Sequence, residues 1–115
     1  MKAKIIATAP RFYVENVEEC LSFYINKLGF NLIDKVPNLY GMVQRDGFQI
    51  HFSKATQQFK KHTNHTLIWI PEIDLFWNEI QNTNITILEP ITLKPYGNRE
   101  FVIQDIVGNI ITICD

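Results

Sequence analysis

Cys20 and Cys114 are the only two cysteines in the 115 residues. They lie too far apart for a metal-binding spacing and are too few for the disulfide framework of a small secreted domain, so reduced, packed thiols are expected. Glycine is scarce too: the five present are scattered and form neither G-x-G-x-x-G nor a P-loop, which removes the common phosphate-cradling loops. No charge of one sign dominates, because 11 Lys and Arg stand against 12 Asp and Glu for a net charge of −1. Nothing global therefore steers nucleic acid or an anionic membrane surface toward the chain. Long apolar runs are missing as well. The opening MKAKIIATAPRFYVENVEE breaks its short hydrophobic stretch at Pro10 and Arg11 and continues into acids, which fits neither a signal peptide nor a membrane span of about 20 residues. The expectation is a cytoplasmic protein with no nucleic-acid or membrane partner. No Ser-His-Asp or Cys-His arrangement can be assembled, since Cys20 falls on an apolar helical stripe and Cys114 is penultimate.

Apolar residues make up 46% and charged residues 20%, the composition of one ordinary globular domain. KIIATAPRFYV reads as a strand that hands over at Asn16, where Glu19 completes a capping-box pattern, to a helix with Val17, Cys20, Leu21, Tyr24 and Leu28 on one stripe and Gly29 as its stop. Strands FNLIDKV, LYGMVQR and FQIHFS follow, divided by turn signals at Pro37-Asn38 and Asp46-Gly47. KATQQFKKHTNH is a polar linker that Phe59 could anchor. The order then recurs: strand TLIWI, helix PEIDLFWNEIQN with Ile73, Trp77 and Ile80 at i, i+4 and i+7, and strands ITILEPI, REFVIQD and NIITICD. Val14, Asn16 and Val17 fall on Ile70, Glu72 and Ile73 at an offset of 56, and Gly47, Ile50 and Phe52 on Gly108, Ile111 and Ile113 at 61. Two copies cannot make a solenoid, so paired half-units around a shared concavity are expected.

The segments FYVENVEECLSFYINKLGF and YGNREFVIQDIVGNIITI resemble the opening and closing signatures of the vicinal oxygen chelate superfamily, and Gly97 to Phe101 is most similar to its bleomycin-resistance-type members. The resemblance implies an α+β fold of two βαβββ modules forming an open, curved eight-stranded barrel with helices outside. It would be a single domain over 1–115, with module one at about 1–55, a linker at about 56–64 and module two at about 65–115. It also implies a homodimer holding a small-molecule ligand. Metal-using members such as glyoxalase I place ligands early in the first strand and in the last strand of each module, positions that fall here on Ala9, His51, His65 and Thr112. Two imidazoles fall short of the three protein ligands a catalytic divalent metal generally takes, so no cofactor is expected; a metal, if present, would use His51 and His65. The function implied is non-catalytic binding of an antibiotic-like molecule of bleomycin type, with a metal-dependent lyase, thiol transferase or dioxygenase as the alternative.

Strand alternation sorts the candidate ligand-facing residues. His51 points away from Ile50 and Phe52; His65, Leu67 and Trp69 share one face; Tyr40, Met42 and Gln44 share another. Tyr96, Arg99, Phe101 and Thr112 complete the set. Arg99 and Glu100 point to opposite faces, so only one of them can line a pocket, and Asp105 belongs to the turn before Gly108-Asn109. The H-x-x-H pair of His62 and His65 sits in a loop, where that spacing does not converge two rings.

Overall fold

A computed structural model describes residues 1–115. Ten elements follow one another as β1 (Arg11–Val14), α1 (Val17–Leu28), β2 (Asn31–Val36), β3 (Tyr40–Arg45), β4 (Phe48–Lys54), β5 (His65–Trp69), α2 (Ile73–Ile80), β6 (Thr86–Leu93), β7 (Arg99–Gln104) and β8 (Ile110–Cys114). The order βαβββ occurs twice. The chain divides into two compact units, Met1–Lys61 and His62–Asp115.

Each unit carries its own four-stranded mixed sheet, ordered β1-β4-β3-β2 in the first and β5-β8-β7-β6 in the second. The class is α+β as expected, but the eight strands do not form one continuous hydrogen-bonded barrel. In both sheets the first strand pairs in parallel with the fourth, and the remaining pairs are antiparallel.

Helix α1 begins where Asn16 accepts the Glu19 backbone N–H at 3.0 Å and ends at Gly29 with φ 74°, a left-handed stop that glycine adopts without steric cost. Its buried residues are the expected stripe plus Phe23. They pack against Phe12, Val14, Val43, Ile50 and Phe52, all at or below 4% exposure. The Tyr24 ring lies among Phe23, Phe30 and Phe52, with centroids 4.8–5.7 Å away in tilted or edge-on geometry; each such pair contributes about 0.5–1.5 kcal/mol beyond its buried area. Gly41 lets β3 come right up to the helix, since a Cβ there would sit 2.5 Å from a Leu21 methyl carbon. Asp46 and Gly47 both take positive φ, 53° and 83°, as the two-residue hairpin signal requires.

The sequence expects a strand through Lys4–Ala9, yet residues 1–10 form no regular element. Pro10 supplies only its carbonyl, which His51 N–H reaches at 3.0 Å, and the ladder with β4 starts at Arg11. In α2 the buried residues are Ile73, Phe76 and Ile80. Trp77, expected on the buried stripe, is half-buried and meets Phe101 edge-on at 5.0 Å, while Phe76 takes the interior place.

A buried polar staple ties the second unit together. Asp105 accepts the backbone N–H of Val107 and Asn109 and the Asn109 side-chain amide, and Asn109 Oδ1 accepts both the backbone and the side-chain N–H of Asn64. The turn role expected of Asp105 thereby extends to the entry of β5.

Candidate functional site: the helix-free sheet faces

A sheet covered by a helix on one side presents every second side chain on the other. In the first unit the uncovered set is Arg11 and Tyr13 from β1, Gln49, His51 and Ser53 from β4, and Tyr40, Met42 and Gln44 from β3. Gly41 and Val43 are buried between them, so Tyr40, Met42 and Gln44 do share a face, and His51 joins it. A linked chain of polar groups crosses this face. Arg11 Nε donates to Tyr40 Oη at 3.1 Å, and its guanidinium carbon lies 5.3 Å from the Tyr40 ring centroid. Tyr40 Oη lies 2.6 Å from His51 Nδ1, and His51 Nε2 lies 2.8 Å from Gln49 Oε1. The Gln49 carbonyl oxygen can only accept, so Nε2 carries the proton and Nδ1 accepts from the Tyr40 hydroxyl. Burial and then the Arg11 charge hold the His51 pKa below its ordinary 6.5, which agrees with a neutral ring. Phe59 stacks on Tyr13 at 5.1 Å and 13°, anchoring the loop as expected.

In the second unit three rungs cross the uncovered face: His65, Ile110, Gln104 and Thr86; Leu67, Thr112, Val102 and Glu89; Trp69, Cys114, Glu100 and Thr92. Trp69 is 65% exposed and Leu67 42%, a large apolar area for one strand to leave in water. Acid surrounds it. Glu100 accepts the Tyr96 hydroxyl at 2.5 Å, which pushes the Tyr96 pKa up to about 12, and Glu89 pairs with Lys94. Cys114 is buried beneath this face, and burial and then the Glu100 charge raise its pKa, so it stays a thiol.

Arg99 and Phe101 sit on the helix side instead. Arg99 is clamped by Asp115 and by Asp74 of α2, its Nε 3.0 Å from Asp115 Oδ2 and its Nη2 3.1 Å from Asp74 Oδ2. Phe101 is fully enclosed between Phe76 and Trp77. Neither reaches the uncovered face, and of the Arg99–Glu100 pair Glu100 is the one that does. Arg11 is the residue that sequence reasoning missed: its alternation with buried Phe12 and Val14 was readable, but Pro10-Arg11 stood out only as an interruption of an apolar stretch.

Two uncovered histidines raise the question of a metal. The positions matched to metal ligands hold Ala9, with no donor, and Thr112, with a neutral hydroxyl, while both ring nitrogens of His51 are engaged by Tyr40 and Gln49. No group of three or more His, Cys, Asp or Glu side chains is placed to hold an ion. By residue type these positions fall short of the three protein ligands that a catalytic divalent metal generally takes. A depression of about 560 Å³ on the first unit, lined by Glu15, Ala55, Thr56, Gln57, Lys60 and Lys61, draws on none of the uncovered sheet residues. No helix is long and apolar enough to cross a membrane.

Solved structures repeat this fold. A bleomycin-binding protein from Streptomyces verticillus, determined with copper(II)-bleomycin, is 22% identical, with 97% of each chain covered and a TM-score of 0.77. An antibiotic binding protein from a Streptomyces species is 17% identical over 98% of this chain and 97% of its own, at 0.82. A lactoylglutathione lyase from Agrobacterium tumefaciens is 16% identical over 98% and 95%, at 0.77. No curated protein matches the sequence. At these identities the likenesses establish the fold alone. A single family model spans residues 5–113, and on that match the chain belongs to the Glyoxalase/Bleomycin resistance protein/Dioxygenase superfamily.

Proposed function

We propose that the protein is a non-catalytic binder of a small, cationic, antibiotic-like molecule of bleomycin type, held against the uncovered face of the second sheet. The observation that carries this reading is Trp69, 65% exposed beside Leu67 on a strand face. Indole gives a planar ligand a stacking surface, and a cation over it gains about 0.5–2 kcal/mol. Glu100, on the same rung as Trp69, supplies the local negative charge that a net −1 does not, while Glu89, one rung away, is paired with Lys94. The likeness to a bleomycin-binding protein and to an antibiotic binding protein supports the class of ligand.

The reading includes no bound cofactor, in keeping with the donor set at Ala9, His51, His65 and Thr112. It includes a cytoplasmic homodimer. Leu32, Ile33 and Val36 on edge strand β2 and Ile87, Leu88 and Leu93 on edge strand β6 are 37–69% exposed. Apolar edge strands left in water favour cover by another chain. Sedimentation velocity across a dilution series tests the dimer, and a monomer at every concentration refutes it.

The binding test is calorimetry with metal-free and copper-loaded bleomycin at two salt concentrations, on the native chain and on Trp69→Ala. Binding that weakens with salt and falls at least ~10-fold in the variant is expected. Absence of heat with either form refutes the reading. The similarity to a lactoylglutathione lyase keeps one rival, a metal-dependent lyase. A divalent metal retained at one per chain and lost in His51→Ala or His65→Ala would replace the binder with that rival.

A further inference from the structure

The geometry points to a second recognition site, on the uncovered face of the first sheet, in which Arg11, steadied by Tyr40, receives the carboxylate of a small organic anion. It is independent of the ligand proposed for the second unit.

Arg11 has the features of a held but uncompensated cation. Its hydrogen-bond partner is a neutral phenol, Tyr40, which accepts from Nε at 3.1 Å. No carboxylate pairs with it, whereas Arg99, the other unit's strand-opening arginine, is neutralised by Asp74 and Asp115. Fixing the Nε edge through Tyr40 orients the planar fork, and an oriented fork loses little freedom when a carboxylate docks on it by paired hydrogen bonds. The Tyr40 ring backs the guanidinium at 5.3 Å, so the fork is supported on an aromatic face.

The remaining groups on this face suit an anion. From β4 they are Gln49, neutral His51 and Ser53; from β3, Tyr40, Met42 and Gln44; from β1, Tyr13; and from the loop, Phe59 on Tyr13. The acid on this face is Asp34 of β2, at the far end of the rung Arg11, His51, Met42, Asp34. Three strand spacings put it about 14 Å from Arg11, beyond the screening length of about 8–10 Å at ordinary ionic strength. Lys35 and Glu18 pair with each other on the helix side. Met42, next on the rung, offers an adaptable apolar contact for the body of the ligand.

The experiment follows the Arg11 side-chain N–H resonance by NMR while the full chain is titrated with sodium benzoate, with uncharged benzamide and with inorganic phosphate at constant ionic strength. Saturable benzoate binding on the order of millimolar is expected, with the Arg11 resonance moving as the site fills. Arg11→Gln should weaken benzoate at least ~10-fold and Arg11→Lys by less, because lysine keeps the charge without the fork. A folded spectrum of each variant is checked first, and the wild-type Arg11 shift stands as a readout whatever the variants do. Benzamide binding as well as benzoate, phosphate binding without benzoate, a benzoate response unchanged in Arg11→Gln, or an unmoved Arg11 resonance would each overturn the assignment.

Discussion

Asn109→Ala tests whether the buried staple holds the second unit together. The side chain is 1% exposed and makes three hydrogen bonds: Oδ1 accepts Asn64 N and Nδ2, each at 3.0 Å, and Nδ2 donates to Asp105 Oδ2 at 2.9 Å. The first two join neutral groups and contribute about 1 kcal/mol each; the third reaches a carboxylate and contributes about 1.5–3 kcal/mol. Truncation therefore costs about 3–5 kcal/mol, a large share of the ~5–15 kcal/mol by which a domain is stable. Asn64→Ala removes the side-chain bonds to Asn109 and to the His62 carbonyl but keeps the backbone bond, so about 1–2 kcal/mol is expected. Urea denaturation followed by circular dichroism gives both values. The double variant should recover about 1 kcal/mol of coupling for the shared bond. A loss below about 1 kcal/mol in Asn109→Ala, or equal losses in the two single variants, would refute the reasoning.

Gly41→Ala should destabilise the first unit by about 1–3 kcal/mol through overpacking against Leu21, and Leu21→Ala in the same chain should cost less than the two changes summed; thermal melts decide, and strict additivity counts against the contact. The Tyr96 phenol should deprotonate only near pH 12 in an absorbance titration and return toward 10 in Glu100→Gln; an unchanged titration would dissolve the Tyr96–Glu100 bond as its cause. The folded state disfavours His51 protonation while the unfolded chain takes the proton near pH 6.5, so the unfolded state binds more protons just below that value. His51 therefore contributes its full stability above about pH 6.5, and the contribution falls as pH drops toward the lower folded-state pKa. Urea midpoints of the native chain should fall more steeply than those of His51→Gln over this window, and parallel curves refute it.

Much of the fold was legible because its signals are local. Asn16 and Gly29 mark the ends of α1 and Asp46-Gly47 marks a hairpin, each within a short stretch, and the offsets of 56 and 61 show the same short patterns recurring. The failures involve partners distant in sequence. Lys4–Ala9 has strand composition, but the ladder with β4 begins only at Arg11. Alternation shows that Arg99 and Phe101 share a face; it cannot say that Asp74 and Phe76 of α2 lie over that face. Trp77 and Phe76 are adjacent on a two-turn helix and both meet the Phe101 ring, so helical spacing alone did not separate the buried one from the half-buried one. Of the candidate sites, the grouping of Tyr40, Met42, Gln44 and His51 followed from parity. Arg11 did not stand out, because an arginine at the start of a strand has no feature of its own until Tyr40, 29 residues later, is seen to hold it.

The parallel pairing of first with fourth strand in each unit has a consequence for biosynthesis. Strand β5 borders only β8, so between leaving the ribosome at His65 and the arrival of Ile110 it has no neighbour to bond. Such distant closures carry an entropic toll that slows folding. The first unit can finish once Lys54 has emerged, whereas a nascent chain stalled before β8 would leave Thr66, Leu67 and Ile68 open to chaperones or to a neighbouring nascent chain.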